Sequence, residues 1–220
     1  MKRIVEAYIG EYASGKSENA INRALELKQA GFEVTLVDLD TVEPFYTLRP
    51  LKAWLEDRGI TVVGWGPKDS FGLGEAGGLV KPAARWVLRR EGAVILDIGY
   101  GVYGAKTLNL LEGADRDPDL QVLAVINTAR PMTATKEDIV EYVSNLGRVD
   151  GLVSNSHLGS ETTVDFIVEG HRVIMEAAAE LGIPVVCVAV EDSLRDEALQ
   201  ADFSGVSVRF INRYMPGAMW

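Results

Sequence analysis

One stretch of the chain decides the fold: Gly10-Glu11-Tyr12-Ala13-Ser14-Gly15-Lys16-Ser17. It fits the pattern G-x-x-x-x-G-K-[ST] of a phosphate-binding P-loop. The residues before it, Ile4 to Ile9, are mostly apolar and strand-like, and the residues after it, Lys16 to Ala30, carry apolar side chains along one side of a helix. Strand, glycine loop and helix are the context that this motif requires, so the stretch predicts a site for a polyphosphate.

The chemistry of such a loop depends on its backbone. The N–H groups of residues 12–17 can surround phosphate oxygens without side-chain bulk, and the helix N-terminus adds a partial positive charge. Lys16 is expected to reach the β- and γ-phosphates, and the Ser17 hydroxyl is expected to bind Mg²⁺. All eight residues from Gly10 to Ser17 are therefore candidate nucleotide-binding residues.

The composition of the chain limits the classes of protein to which it can belong. The chain has 220 residues, enough for one α/β domain, and a net charge of −10, which argues against nonspecific nucleic-acid binding. Its single cysteine, Cys187, excludes an internal disulfide. No apolar run approaches the roughly 20 residues that a membrane span needs, and the N-terminus goes directly into a strand. We expect a cytoplasmic protein for which membrane association is unlikely.

Strand and helix patterns alternate along the whole chain. This rhythm predicts an α/β fold: a mostly parallel sheet with helices on both faces, the three-layer sandwich of P-loop NTPases, in a single domain spanning residues 1–220. The expected strands after the first cover residues 32–39, 60–65, 93–98, 120–127, 151–155, 184–190 and 206–210, and the expected helices cover residues 16–30, 50–58, 80–90, 105–111, 135–146 and 163–181.

Acidic residues stand at the ends of two expected strands, where ligands bind in open α/β sheets. Val94-Ile95-Leu96-Asp97 has the pattern of a Walker B strand, and Asp97 is expected to hold Mg²⁺ through water. Four residues later Gly101 offers an N–H that can sense the γ-phosphate. The second strand ends in Asp38 and Asp40, which share one face because side chains alternate along a strand. Either of them is a candidate to position the attacking water.

Together, the P-loop, Val37-Asp38-Leu39-Asp40 and the Asp97-to-Gly101 segment resemble the MinD/ParA/CobQ-type nucleotide-binding proteins of the SIMIBI class. The resemblance covers roughly residues 3–192. It implies a Mg²⁺-dependent ATPase that switches a client protein, with Asp40 as the water-orienting residue and Asp38 as an acid on the Mg²⁺ side. It also implies that Asn155 contacts adenine and that Val190, Glu191 and Asp192 close over the base.

One position departs from that family. Its additional lysine, which reaches a partner's phosphate across a dimer, is replaced here by Glu11. A carboxylate near phosphate is repulsive, so lysine exchange is not available, while a homodimer stays possible. The sequence looks closer to MinD-like proteins with a plain Walker A motif, and the run from Asp38 to Tyr46 resembles their Asp-x-Asp-x-x-x-Pro-[Tyr/Phe] stretch.

The sequence leaves three functions open. No Asn-Lys-x-Asp guanine-reading motif follows a strand, so ATP and ADP are favoured over GTP as ligands. Besides an ATPase acting on an unidentified client protein, the same architecture serves small-molecule kinases or ATP-dependent ligases of the dethiobiotin-synthetase-like kind. A nonhydrolysing nucleotide sensor is the third interpretation. Residues 64–78, rich in glycine, are a candidate switch or client-facing segment.

Overall fold

The computed structural model describes residues 2–40, 48–65 and 80–215, and in these ranges the chain forms one eight-stranded sheet. Its strands are β1 (Ile4–Gly10), β2 (Val34–Leu39), β3 (Thr61–Val63), β4 (Ala93–Ile98), β5 (Leu120–Ile126), β6 (Gly151–Ser154), β7 (Val185–Glu191) and β8 (Val208–Ile211). Their order is β3-β2-β4-β1-β5-β6-β7-β8, and each adjacent pair is parallel. The predicted α/β fold with a parallel sheet is confirmed.

Helices cover both faces of this sheet. They are α1 (Lys16–Gln29), α2 (Lys52–Glu56), α3 (Gly101–Ala105), α4 (Lys136–Asn145), α5 (Val164–Leu181) and α6 (Arg195–Ala198). Short 3-10 helices span Arg49–Leu51, Pro82–Arg89, Lys106–Leu110, Pro131–Thr133, Gly159–Glu161 and Asp192–Leu194. Within the described ranges no helix is both long and apolar enough to cross a membrane.

Two large apolar clusters lie on opposite sides of the sheet. The first contains Val5, Ala7 and Ile9 of β1 together with residues of α3, α4 and α5. The second contains Tyr8 of the same strand together with residues of α1 and α2. Alternation along a buried parallel strand sends neighbouring side chains into different layers. The result is the predicted three-layer sandwich, with the site residues following the carboxyl ends of the strands.

Some element boundaries differ from the sequence prediction. The helix expected over 80–90 is a 3-10 helix, Pro82–Arg89, whose buried Ala84 and Val87 are three positions apart and lie on one line, as three residues per turn require. The helix expected over 50–58 begins as a 3-10 turn before α2. Most of the glycine-rich segment 64–78 and most of the Asp38-to-Tyr46 run lie outside the described residues.

Candidate nucleotide site

The P-loop connects β1 to α1 through backbone conformations that glycine permits. Gly10 has φ 149° and Gly15 has φ 92°. A Cβ on Gly10 would lie 2.5 Å from the Val125 carbonyl oxygen, and one on Gly15 would lie 2.2 Å from Nδ2 of Asn155. Both glycines are therefore required by close approach as well as by φ. Ala13 also adopts a positive φ of 55°, which marks a tightly constrained loop.

Lys16 turns back into the loop. Its Nζ donates a hydrogen bond to the Glu11 carbonyl oxygen at 2.8 Å, and its side chain is buried. Burial lowers the pKa of the Lys16 ammonium group, while the charges of Asp97, Asp40 and Glu11 act in the opposite direction. The predicted phosphate lysine thus lies close enough to the predicted acids for their charges to act on it.

Asp97 is the most deeply buried acid of the site, with no solvent exposure. Neither carboxylate oxygen has a hydrogen-bond partner among the described residues, although the nearby Ser17 hydroxyl stabilises its charge. Burial raises the pKa of Asp97 strongly, and the charge of Asp38 raises it further, while Lys16 lowers it. Burying a carboxylate without a hydrogen-bond or charge partner costs free energy. A cation bound at Asp97 would supply the missing partner.

Asp38 lies beside Asp97, since the two residues are register partners on β2 and β4. Its carboxylate accepts a hydrogen bond from Nε of Arg49 at 3.1 Å and another from the Asp40 N–H at 3.0 Å. Arg49 is itself buried, and it also donates to the Asp40 carbonyl oxygen at 3.3 Å. Burial raises the pKa of Asp38 to about 6 against the lowering effect of Arg49.

Arg49 belongs to the site although no sequence pattern points to it. Asp38 is predicted on the metal side and as a water-positioning residue, whereas the structure gives both Asp38 oxygens protein partners. Asp40 is less buried, and its charge acts on both Lys16 and Asp97. Of the two strand-end acids, Asp40 is therefore better placed to meet a bound water, and its catalytic role remains a prediction.

Glu11 and Tyr12 take different directions from the loop. The Tyr12 ring is 39% exposed and packs edge-on against Tyr100 at 5.7 Å between ring centroids, outside the phosphate cradle. The Glu11 carboxylate lies near the buried Tyr142 hydroxyl of α4: burial raises the pKa of that phenol, Glu11 raises it further, and the Gly101 N–H lowers it. Gly101, the predicted γ-phosphate sensor, begins α3 with φ 70°.

A pocket opens beside the P-loop on the β6–β7 side and spans about 500 Å³ including its open mouth. Asn155, the predicted base contact, lines it but donates its side-chain amide to the Ser14 carbonyl oxygen at 2.6 Å. Val190 is in a separate core cluster with Val164 and Ile167, and its strand neighbours Ala189 and Glu191 line the pocket instead. The strand alternation explains the difference, because Val190 faces the opposite layer.

The C-terminal segment forms the far wall of this pocket, which sequence reasoning did not anticipate. Arg213 lines the pocket and lies 3.9 Å from the Glu191 carboxylate. Backbone N–H groups of Tyr214 and Met215 donate to the Glu18 carboxylate of α1 at 2.7–3.0 Å. The tail is thereby fixed to the helix that follows the P-loop. No local pattern indicates this contact, because the partners are nearly two hundred positions apart.

The residues fit a Mg²⁺ ion held together with phosphate oxygens. Ser17 supplies a hydroxyl, and Asp97 supplies a carboxylate that no described residue satisfies. Magnesium in nucleotide sites takes few protein ligands and keeps several waters. Consistent with this, the described residues hold no cluster of three or more His, Cys, Asp or Glu side chains that would form an all-protein metal site. Asp38 already accepts hydrogen bonds from two protein groups, which suits a role in supporting Asp97 rather than in contacting the metal.

No family model matches the sequence, and no curated protein matches it either. Solved structures do resemble the fold. FtsY from Thermotoga maritima is 20% identical with a TM-score of 0.54 over 87% of this chain and 63% of its own. The signal recognition particle receptor FtsY from Elizabethkingia anophelis is 20% identical, with a TM-score of 0.58 over 89% of this chain and 61% of its own.

The 54 kDa signal recognition particle protein from Aeropyrum pernix, in complex with GDP, is 22% identical with a TM-score of 0.56 over 84% of this chain and 41% of its own. At such identities the likeness concerns the fold alone, the parallel α/β sandwich of P-loop NTPases. This chain spans about three fifths or less of the length of these structures.

Proposed function

We propose that the protein is a Mg²⁺-dependent nucleoside triphosphate hydrolase of the MinD type that acts as a nucleotide switch. The observation that carries the proposal is Asp97, a fully buried carboxylate next to Lys16 with neither oxygen paired among the described residues. Such a group is costly unless a cation and its ligands complete the site. The adjoining P-loop supplies the complementary surface for the phosphates.

In this proposal each residue has a distinct role. Backbone N–H groups of the P-loop and Lys16 hold the phosphates and stabilise the charge that develops on them. Ser17 and Asp97 hold the Mg²⁺, which when bound neutralises charge on the β- and γ-phosphates. Asp40 orients the attacking water, and Asp38, kept in place by Arg49, supports Asp97. The segment after β2 and the Gly101 turn then report the state of the phosphates to a client protein.

The base is proposed to be adenine, because no guanine-reading motif follows a strand, and Thr135-Lys136-Glu137-Asp138, which comes closest, is the capping box that begins α4. One feature of the pocket favours guanine instead. The Glu191 carboxylate lines the pocket beside Arg213, and a carboxylate accepts two hydrogen bonds from the N1–H and amino groups of guanine but only one from the adenine amino group. The structure of Aeropyrum pernix named above contains GDP. A GTPase is therefore the second candidate.

The test is binding and turnover of the whole chain with ATP and GTP, each with Mg²⁺ and with EDTA. A ligand at about 100 times its dissociation constant stabilises the native state by about 2.7 kcal/mol. We expect such stabilisation with Mg–ATP, phosphate release above the buffer background, and loss of both in Lys16→Ala. Lys106→Ala, at an exposed lysine far from the P-loop in sequence, is the control and should match wild type.

The other possible results of this experiment distinguish between the alternative functions. Equal stabilisation of wild type and Lys16→Ala would overturn the P-loop assignment. Binding without turnover would leave a nonhydrolysing sensor. Stabilisation by GTP alone would assign guanine, and Glu191→Gln should then weaken GTP by at least about tenfold, the cost of one lost charge-assisted hydrogen bond.

A further inference from the structure

We propose that Arg130 binds the terminal phosphate of the nucleotide and stabilises the charge on it during hydrolysis. The proposal rests on the nucleotide function proposed above and deepens it, because it adds a catalytic arginine on the flank of the P-loop opposite the metal ligands. Two features of the structure support this role: the place of Arg130 beside the P-loop, and a buried donor atom with no hydrogen-bond partner among the described residues.

Arg130 lies in the loop that follows β5, the strand on one side of β1. The strand on the other side of β1 is β4, which carries Asp97. Gly10, the first residue of the P-loop, is the register partner of Val125 in β5, and a Cβ on Gly10 would lie 2.5 Å from the Val125 carbonyl oxygen. The carboxyl end of β5 is therefore packed against the P-loop. Because ligands bind at this edge of open α/β sheets, we expect the loop after β5 to reach the phosphates.

The loop after β5 is held in place by Asn127, which is fully buried. Its Oδ1 accepts hydrogen bonds from the N–H groups of Ala129 at 3.0 Å and His157 at 3.1 Å. Its backbone carbonyl oxygen accepts one from the Thr133 hydroxyl at 2.7 Å and one from the Arg130 N–H at 3.1 Å. A charged group on such a preorganised loop loses little freedom when it binds a ligand, which favours strong electrostatic stabilisation.

The Arg130 side chain has a donor that the described part of the chain leaves unused. Nε of Arg130 is buried and has no hydrogen-bond partner there, although the residue as a whole is only half-buried. By contrast, Nε of Arg23 donates to the Glu6 carboxylate at 3.0 Å, and Nε of Arg49 donates to the Asp38 carboxylate at 3.1 Å. A buried N–H of a charged group costs free energy when it lacks an acceptor, so an anion bound beside Arg130 would stabilise the site.

The charge of Arg130 acts close to the P-loop. Burial lowers the pKa of His157, the charge of Arg130 lowers it further, and a hydrogen bond with the Ala13 backbone of the P-loop acts in the opposite direction. A guanidinium group binds phosphate through two parallel N–H donors, and such charge-assisted hydrogen bonds are stronger than neutral ones. With Ser17 and Asp97 holding Mg²⁺ on the β4 side, Arg130 would contact the terminal phosphate from the β5 side.

In the reaction, the oxygen of the attacking water forms a bond to the γ-phosphorus while the bond from that phosphorus to the bridging oxygen breaks. The products are the nucleoside diphosphate, inorganic phosphate and one proton. Arg130 keeps its own protons throughout the step, and its positive charge stabilises the γ-phosphate oxygens in the transition state.

The experiment measures phosphate release and nucleotide binding for the whole chain, with Mg²⁺ and with ATP or GTP, whichever the wild type binds. We expect kcat of Arg130→Gln to fall at least about 100-fold, while the dissociation constant of the Mg-bound diphosphate changes by less than about threefold, because the diphosphate lacks the terminal phosphate. Arg130→Lys keeps the charge but not the parallel donors and should retain part of the activity. Arg116→Gln, at an exposed arginine, is the matched control and should match wild type.

Two further measurements separate this role from a structural one. Guanidinium ion at millimolar concentration should raise the activity of Arg130→Ala severalfold and leave that of wild type unchanged, because the free ion can occupy the place of the missing side chain. Without nucleotide, Arg130→Gln should unfold at a temperature no lower than wild type, since no described group loses a side-chain hydrogen bond from Arg130.

The proposal is overturned if Arg130→Gln hydrolyses the nucleotide as fast as wild type, or if its loss of activity comes with an equal loss of diphosphate affinity or with a lower unfolding temperature. If wild type binds nucleotide without turnover, the affinity for a nonhydrolysable triphosphate analogue relative to the diphosphate should fall at least about tenfold in Arg130→Gln. An unchanged ratio would then refute the role of Arg130. If wild type binds no nucleotide at all, the nucleotide function itself fails, and this result is recognised before any variant is compared.

Discussion

Asp38 and Asp97 are register partners on adjacent strands, and both carboxyl groups are buried at the same edge of the sheet. Each faces a different cation: Arg49 binds Asp38 directly, whereas Lys16 acts on Asp97 through its charge. Burial raises the pKa of both carboxyl groups, and for Asp97 the charge of Asp38, one strand away, raises it further. The repulsion between the two carboxyl groups is unfavourable, and it acts at the position where the proposed function needs a cation.

The substitution Asp97→Asn is expected to affect stability and turnover in opposite directions. Burial and the Asp38 charge both disfavour the ionised form of Asp97, so we expect the asparagine variant to be as stable as wild type or more stable by about 1–2 kcal/mol in urea unfolding. Turnover with Mg²⁺ should fall on the order of 100-fold. Asp115→Asn, at an exposed carboxylate, serves as the control. A less stable variant, or one with wild-type turnover, would contradict this assignment.

Gly15→Ala tests the close approach of the P-loop to Asn155. Gly15 and Gly113 have nearly the same φ, 92° and 89°, but a Cβ on Gly113 meets nothing within 4 Å. Gly113→Ala should cost about 1–2 kcal/mol from backbone strain alone. We expect Gly15→Ala to cost at least about 1 kcal/mol more, because Asn155 must move, and to lose nucleotide affinity as well. Equal unfolding free energies for the two variants would show that the Asn155 side chain moves aside at no cost in free energy.

A double-mutant cycle tests the Arg49–Asp38 pair. Arg49→Leu leaves a buried carboxylate without its guanidinium partner and should destabilise the protein by about 3 kcal/mol. In an Asp38→Asn background the same substitution should cost only about 1–2 kcal/mol, because the Asp38 charge is gone while the hydrogen bond from Arg49 to the Asp40 carbonyl oxygen is still lost. Urea unfolding of the four proteins gives the coupling energy. Additive effects of the two substitutions would mean that the ion pair contributes nothing to stability.

His157 makes stability depend on pH. Burial, aided by the charges of Arg130 and Arg213, lowers the pKa of His157 from 6.5 to about 4. The unfolded state therefore binds more protons than the native state between these values, and the contribution of His157 to stability falls as the pH drops from about 6.5 to about 4. The full loss is about 3 kcal/mol, because each tenfold difference in proton affinity between the two states corresponds to about 1.36 kcal/mol.

The raised pKa of Asp38 acts in the opposite direction over much of the same range, so wild type alone does not isolate the histidine. The measurement is the difference in unfolding free energy between wild type and His157→Gln at several pH values from about 7.5 to about 4, the range in which the histidine titrates. Both proteins contain Asp38, and its effect cancels. The variant should gain stability relative to wild type as the pH falls, and a difference that is constant with pH would disprove the lowered pKa.

Much of the fold was predictable because its determinants are local. Apolar runs such as Ala93–Ile98 indicate buried parallel strands, and their alternation with helical patterns leaves few topologies. Errors fell where local patterns are ambiguous: the spacing of Ala84, Val87 and Leu88 serves a 3-10 helix as well as an α-helix. The roles of Asn155 and Val190 in base binding depend on which way each side chain faces, and the structure turns Val190 toward the core.

The sequence by itself determined the P-loop, the acids at the strand ends and the parallel α/β sandwich, because glycine spacing, strand periodicity and helix patterns act over a few residues. Only the tertiary structure decided that Arg49 binds Asp38, that Asn155 holds the Ser14 carbonyl, and that Arg213 and Glu18 bring the C-terminal segment to the pocket. Buried polar groups pair with whatever partner lies nearest in space. That neighbour is set by how distant segments pack.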